Sequence, residues 1–410
     1  MRLKLILGAV VALCPFVTSV AAAKTRSYDL RYHAALDPAA GVAKVKIALS
    51  GEQALPSRLE LHVDPERYSG FAADGKLDVE DDLVVWRPGE SGGELRYRFK
   101  IDNVRGSRMY DSRITEDWAI FRGDRMIPPI SVTAPKSAVS EATLTFDLPA
   151  DWSIVTQYEA DGDGVMKIEN PGRRFDRPKG WMLAGRLGTR AEMITGIKTV
   201  VAAPTDEGAR RQDTLAFLMW NLPHLAAVFP QFPKRLLIIR AGDPMFRGGL
   251  SGPASLFLHL DRPLISENRT STLLHELVHV ATGLRGDDES DWIVEGLAEY
   301  YSIETLHRSG GISQRRYKEA MQRLARWGKK SKTLFKKRSS GATTARAVGV
   351  LADADREIRK ATGGKRSFDD VAALLAEDRG EVSLERLQDT AAKIAGKRIQ
   401  SLERDELPGG

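Results

Sequence analysis

The sequence predicts an α+β protein: an N-terminal antiparallel β-sandwich-like domain, then a mostly helical domain that carries a small sheet. Three observations predict it. Apolar and polar residues alternate with period two in runs up to about residue 202. Near 203 the alternation stops and short apolar strands appear among helical runs. From 272 onward almost everything has helical periodicity. A chain of 410 residues is long enough for two or three domains, and 42% hydrophobic with 28% charged residues excludes a disordered or fibrous chain.

The first 23 residues read as an address. Arg2 and Lys4 precede an apolar stretch at 5–20, and Ala21, Ala22 and Ala23 supply small residues for cleavage before Lys24. A cleaved signal peptide at 1–23 is expected, with a periplasmic or secreted location. The apolar stretch is short for a membrane span, so no stable span is expected. Cys14 would suit a lipid anchor, but Leu13 stands where a small residue should precede a lipidated cysteine. Removing the leader removes the only cysteine, and leaves 59 basic against 55 acidic residues. No disulfide and no nucleic-acid partner follow from such a balance. The basic clusters at Lys329, Lys330 and at Lys336, Lys337, Arg338 lack interleaved aromatics and read as solvated helix ends and loops. Oligomeric state has no signature in the sequence.

Residues 24–202 make the expected β domain. Its strand signals are SYDLRY (27–32), VAKVKIAL (42–49), LRYRFKI (95–101) and ATLTFDL (142–148), with turn clusters PGESGG (88–93) and DGDG (161–164). Residues 203–405 make the second domain. A helical run at 206–228 should break at Pro223, and RLLIIR (235–240) and SLFLHL (255–260) read as strands. Helices are expected at 272–282, 292–308, 313–327, 345–361, 367–376 and 383–396, with a frayed end at Pro408, Gly409 and Gly410.

The chemistry concentrates in TLLHELVHVAT (272–282). His275 and His279 are four residues apart, so on a helix both imidazoles leave one face and can grip one ion. Glu276 lies beside them, where a carboxylate can take a proton from metal-activated water. With seven histidines in the chain, an HExxH arises by chance in roughly one sequence per hundred. The setting therefore carries weight: Leu273, Leu274, Leu277, Val278 and Val280 make a helix apolar enough to be buried. A catalytic zinc takes three protein ligands and keeps a position open. DWIVEGLAEYY (291–301) offers the third, with Asp291 as N-cap and Glu295 and Glu299 sharing a face. Glu295 is assigned to the metal, and Glu299 to a hydrogen bond that fixes a ligating imidazole. The plain alternative for Glu299 is a solvated carboxylate. Residues 283–290 form the connecting turn, and His259 reads as a packed strand residue.

At these residues the sequence resembles a known group. HELVH (275–279) followed by WIVEGLAEYY (292–301) is similar to the paired motifs of gluzincin peptidases, nearest to the glycyl aminopeptidase family, which is related to aminopeptidase N. DREIRKATGGKRSFDDV (355–371) resembles the helix–turn–helix that follows the active site there. The resemblance implies a thermolysin-like zinc peptidase domain behind a β domain, Zn2+ as cofactor, and a peptide or protein as substrate. Three departures stand out. Fifteen residues (280–294) separate His279 from Glu295, fewer than in aminopeptidase N relatives. The stretch Gly248, Gly249, Leu250, Ser251 matches the family's substrate-binding edge strand, but Ser251 stands where a glutamate binds the substrate amine. A simple turn is the plain alternative for the two glycines. The family's oxyanion tyrosine also has no counterpart, since no Tyr follows Tyr317; Arg346, Tyr317 and His307 are the replacements considered. The expected function is a zinc-dependent peptidase, exo or endo. The alternative is a catalytically weakened homologue that binds peptides or proteins in the cell envelope.

Overall fold

The computed structural model describes residues 26–52, 54–106, 108–170 and 174–410. The expected leader at 1–23, with Cys14, lies outside the described residues. The first half builds three sheets. The largest has six strands in the order Met166–Ile168, Ala138–Asp147, Arg26–Asp37, Val42–Ser50, Gly92–Lys100, Tyr68–Ala73. Its alternating residues Tyr28, Leu30, Tyr32 and Ala34 are at most 1% exposed and point into the core. Across that core lie a four-stranded sheet around Arg58–His62 and Leu83–Arg87, and a five-stranded sheet around Trp118–Arg122 and Trp181–Gly185. The sandwich-like plan read from the alternation is present. The pairing is mixed, however, because Arg26–Asp37 and Ala138–Asp147 run parallel, from Arg26 opposite Ala138 to Ala35 opposite Asp147. A parallel pair needs a long crossover, and residues 38–137 supply one. One helical turn, α1 (Gly123–Met126), follows Trp118–Arg122.

The second half opens with the hairpin Leu187–Ile194 and Ile197–Pro204, so residues 202 and 203 fall within one strand. The hairpin begins a five-stranded sheet that continues with Arg235–Ala241, Ser255–His259 and the edge strand Gly249–Gly252. Its three middle strands are parallel and the outer pairings antiparallel. Leu236, Leu237, Ile238 and Ile239 are all fully buried, which is why that strand reads as a continuous apolar run. One face of the sheet packs under helices. The other meets Trp118, Ile120, Trp181 and Leu183 of the first half in a shared core, with the Trp181 and Phe257 rings 5.7 Å apart.

Seven further α-helices follow among the described residues: α2 (Arg211–Val228), α3 (Thr272–Thr282), α4 (Asp291–Arg308), α5 (Gln314–Gly328), α6 (Ala342–Ala361), α7 (Phe368–Glu377) and α8 (Leu384–Ala395). Contrary to expectation, α2 runs through Pro223. Leu218, Leu222 and Leu225 are fully buried on either side and hold it in place. Pro223 itself is exposed, as is Met219, whose carbonyl loses its helical donor to the proline. The C-terminus, expected to fray, has a tertiary contact: the Pro408 carbonyl accepts the Leu334 N–H at 3.0 Å. No described helix is long and apolar enough to cross a membrane.

Candidate metal centre

Helix α3 starts where Ser271 caps it, its hydroxyl accepting the Leu274 N–H at 3.3 Å, and stops at Gly283, whose φ of 59° suits glycine. Leu273, Leu274, Leu277 and Ala281 are fully buried, so the opposite face of α3 turns His275, Glu276 and His279 into a cleft. Helix α4 is anchored by Trp292, Ile293 and Tyr301, also fully buried. Gly296 lets it approach α6 closely, since a Cβ there would lie 2.7 Å from the Ala347 Cβ. The two helices are pinned by Ser302, whose hydroxyl accepts the Ser271 N–H at 3.1 Å and donates to the Ser271 carbonyl at 3.0 Å. Both serines are fully buried. The register of α4 against α3 is thus fixed at the N-cap of the histidine helix.

That register brings the sequence-predicted ligands together. The Nε2 atoms of His275 and His279 are 3.2 Å apart. The Glu295 oxygens lie 3.4 Å from the first and 3.5 Å from the second. One donor atom from each of the three residues fits within 4.8 Å of the others, and this is the one such group found among the described residues. Glu299 meets Nδ1 of His275 at 3.2 Å, which leaves Nε2 for an ion. Two imidazoles and a carboxylate, with a carboxylate behind one imidazole, suit zinc.

The charges are strongly coupled. Burial disfavours a charge on His275, but its hydrogen bonds with Glu295 and Glu299 outweigh this and push its pKa up to about 10. His279 is held below the ordinary histidine value by burial and by its neighbour His275. Burial also opposes the Glu295 charge, yet the hydrogen bond with His275 and the field of His279 keep its carboxyl below the usual range.

Glu276 is 8% exposed and abuts the edge strand. A Cβ on Gly249 would lie 2.5 Å from Glu276 Cγ, 2.8 Å from Oε1 and 2.9 Å from Thr272 Cγ2. Glycine at 249 is therefore what lets the strand and the carboxylate pack together. Gly249 and Ser251 line the cleft, a space of 2110 Å³ between the two halves of the molecule; Gly248 does not, because it turns toward Phe246. Of the three oxyanion candidates, none lines this cleft. Tyr317 donates to Glu304 and stacks on His307 with ring centres 4.4 Å apart, and the Arg346 backbone packs against Gly328. Asp291 is not the N-cap. It is the first helical residue, preceded by Ser290, and its carboxylate accepts the Ser339 N–H.

Sequence reasoning missed Ser271 and Ser302, which look like ordinary helix residues until two distant segments meet. It also missed Arg122, whose Nη1 donates to the Ser251 carbonyl at 3.3 Å and whose guanidinium lies 5.8 Å from the centre of the Trp181 ring. A sequence separation of 129 between Arg122 and Ser251 carries no local signal of that contact.

The fold is shared with solved aminopeptidase and LTA4 hydrolase structures. It is similar to an aminopeptidase N family protein from Idiomarina loihiensis, with 15% identity, a TM-score of 0.65, and coverage of 85% of this chain and 70% of that one. It is also similar to native yeast LTA4 hydrolase, with 14% identity, a TM-score of 0.57, and coverage of 93% and 68%. A third similar structure is Legionella pneumophila aminopeptidase A in complex with aspartic acid, with 13% identity and a TM-score of 0.53; the match covers 92% of this chain but 48% of that protein. No family model and no curated protein matches the sequence.

Proposed function

We infer that the protein is a zinc-dependent peptidase of the cell envelope or exterior, with His275, His279 and Glu295 as metal ligands and Glu276 as general base. One observation carries this reading: two imidazole nitrogens and one carboxylate converge in an open cleft beside a second carboxylate, that of Glu276. A zinc ion held there supplies a Lewis acid that acidifies water and polarises a carbonyl. Glu276 accepts the water proton and returns it to the leaving amine. Glu299 keeps His275 oriented by its Nδ1 contact. The outer side of the half-buried edge strand Gly249–Gly252, which pairs with no other strand among the described residues, offers main-chain groups to an extended peptide, placing it against Glu276.

The test is turnover of a peptide library that chelation abolishes and zinc restores. Glu276→Gln should keep its zinc and lose about 10²–10⁴ in kcat; full activity in that variant refutes the base. A second reading, a zinc-loaded protein that binds peptides without cutting them, is favoured by the position of Tyr317, His307 and Arg346 outside the cleft. Loss of an oxyanion donor costs about 3–4 kcal/mol in barrier height. Zinc-loaded protein inert on the whole library would select this second reading.

A further inference from the structure

The cleft in front of the metal group carries more positive than negative charge. Ten arginines and lysines line it against eight aspartates and glutamates among the described residues, and three of the eight, Glu276, Asp291 and Glu295, belong to the metal end of the cleft. The cations come from both halves of the molecule. On the N-terminal half, Arg122 holds Asp124 through Nε and Nη2 at 3.2 and 2.8 Å and turns Nη1 to the Ser251 carbonyl. Arg125 is exposed and makes no ion pair among the described residues. On the helical half, Arg285 and Arg379 are exposed where Leu284–Gly286 pairs with Gly380–Val382. Arg379 donates to the Gln231 carbonyl at 2.9 Å, and neither arginine meets a carboxylate among the described residues.

Cations lining a cleft with low-dielectric walls focus a positive potential into it, which attracts anions and repels ammonium groups. A substrate amine at the edge strand would find no carboxylate at position 251, where the Ser251 carbonyl is already taken by Arg122, itself paired with Asp124. A chain that passes this point as an amide, with carboxylates on either side, needs no carboxylate there and gains charge-assisted hydrogen bonds.

We propose that the cleft takes an acidic peptide segment and presents an internal bond to the metal group, with substrate carboxylates against Arg125 on one half and against Arg285 and Arg379 on the other. The proposal rests on the zinc peptidase reading for its cleavage step, and on the cleft's charge alone for its choice of ligand.

Internally quenched peptides test it, with one central sequence flanked by acidic, neutral or basic residues and each made with a free or acetylated N-terminus. Zinc-loaded protein should show a KM for the acidic peptide about tenfold or more below that for the basic one, with the gap narrowing as salt rises. Acetylation should not lower turnover. The double variant Arg285→Glu, Arg379→Glu should collapse or reverse the acidic preference; both side chains are exposed, and unchanged zinc content confirms that the variant is folded. Equal cleavage of all three flanks, or a preference for the free amine, overturns the proposal and leaves the peptidase reading standing. The same peptides, fluorescein-labelled and titrated onto zinc-loaded Glu276→Gln by anisotropy, separate the two ideas. Selective binding of the acidic peptide with no cleavage by the unmutated protein upholds the ligand and overturns the peptidase. Binding without charge preference overturns the proposal.

Discussion

His275 has a carboxylate near each of its ring nitrogens, Glu295 by Nε2 and Glu299 by Nδ1. These partners raise its pKa from 6.5 to about 10, so in metal-free protein at neutral pH it carries a proton. A raised folded-state value contributes stability that is fully present below pH 6.5 and is lost as pH climbs through about 10. His279 is shifted the other way and is already neutral. Zinc loading at pH 7 should therefore release about one proton. Calorimetric titration in buffers of different ionisation enthalpy measures this, and buffer-independent heats would contradict the assignment. Gly249 gives a second prediction at this scale. Gly249→Ala drives a methyl into Glu276 Cγ and Thr272, so kcat should fall about 10–100-fold through misplacement of the base, with zinc retained. Unchanged kcat would mean that the strand does not position Glu276. The convergence of His275 and His279 was legible because a four-residue spacing on a helix fixes where two side chains point. The placement of Arg122 was not, because nothing local couples it to Ser251.

At the scale of elements, α3 and α4 work as a pair because their apolar faces are buried and Ser302 locks their register. Ser302→Ala leaves the buried Ser271 N–H and carbonyl without that partner, and should cost about 1–3 kcal/mol of stability. Chemical denaturation of the zinc-free variant reads this; a midpoint unchanged from the parent would show that the clamp contributes nothing. All the expected late helices are present, and their ends lie within three residues of expectation. The features that escaped the sequence depend on tertiary support. The helix passes Pro223 because buried leucines flank it, and the parallel pairing of Arg26–Asp37 with Ala138–Asp147 depends on a crossover that alternation alone does not reveal.

At the scale of the whole molecule, the two halves meet through a core in which Trp118 and Trp181 of the first half pack against Leu237 and Phe257 of the second. That contact sets the first half over the edge strand and makes the cleft a feature of both halves. Truncation to the helical half would therefore strip one wall from the site and expose a buried apolar surface. The fold is shared with aminopeptidase N and LTA4 hydrolase structures at no more than 15% identity, so the site has to be judged on its own atoms. The most direct measurement is diffraction from zinc-soaked crystals, recorded on both sides of the zinc absorption edge. One anomalous peak within about 2.0–2.2 Å of Nε2 of His275, Nε2 of His279 and an oxygen of Glu295 is the predicted result. A fully loaded zinc elsewhere, or none bound by these three side chains, would contradict it.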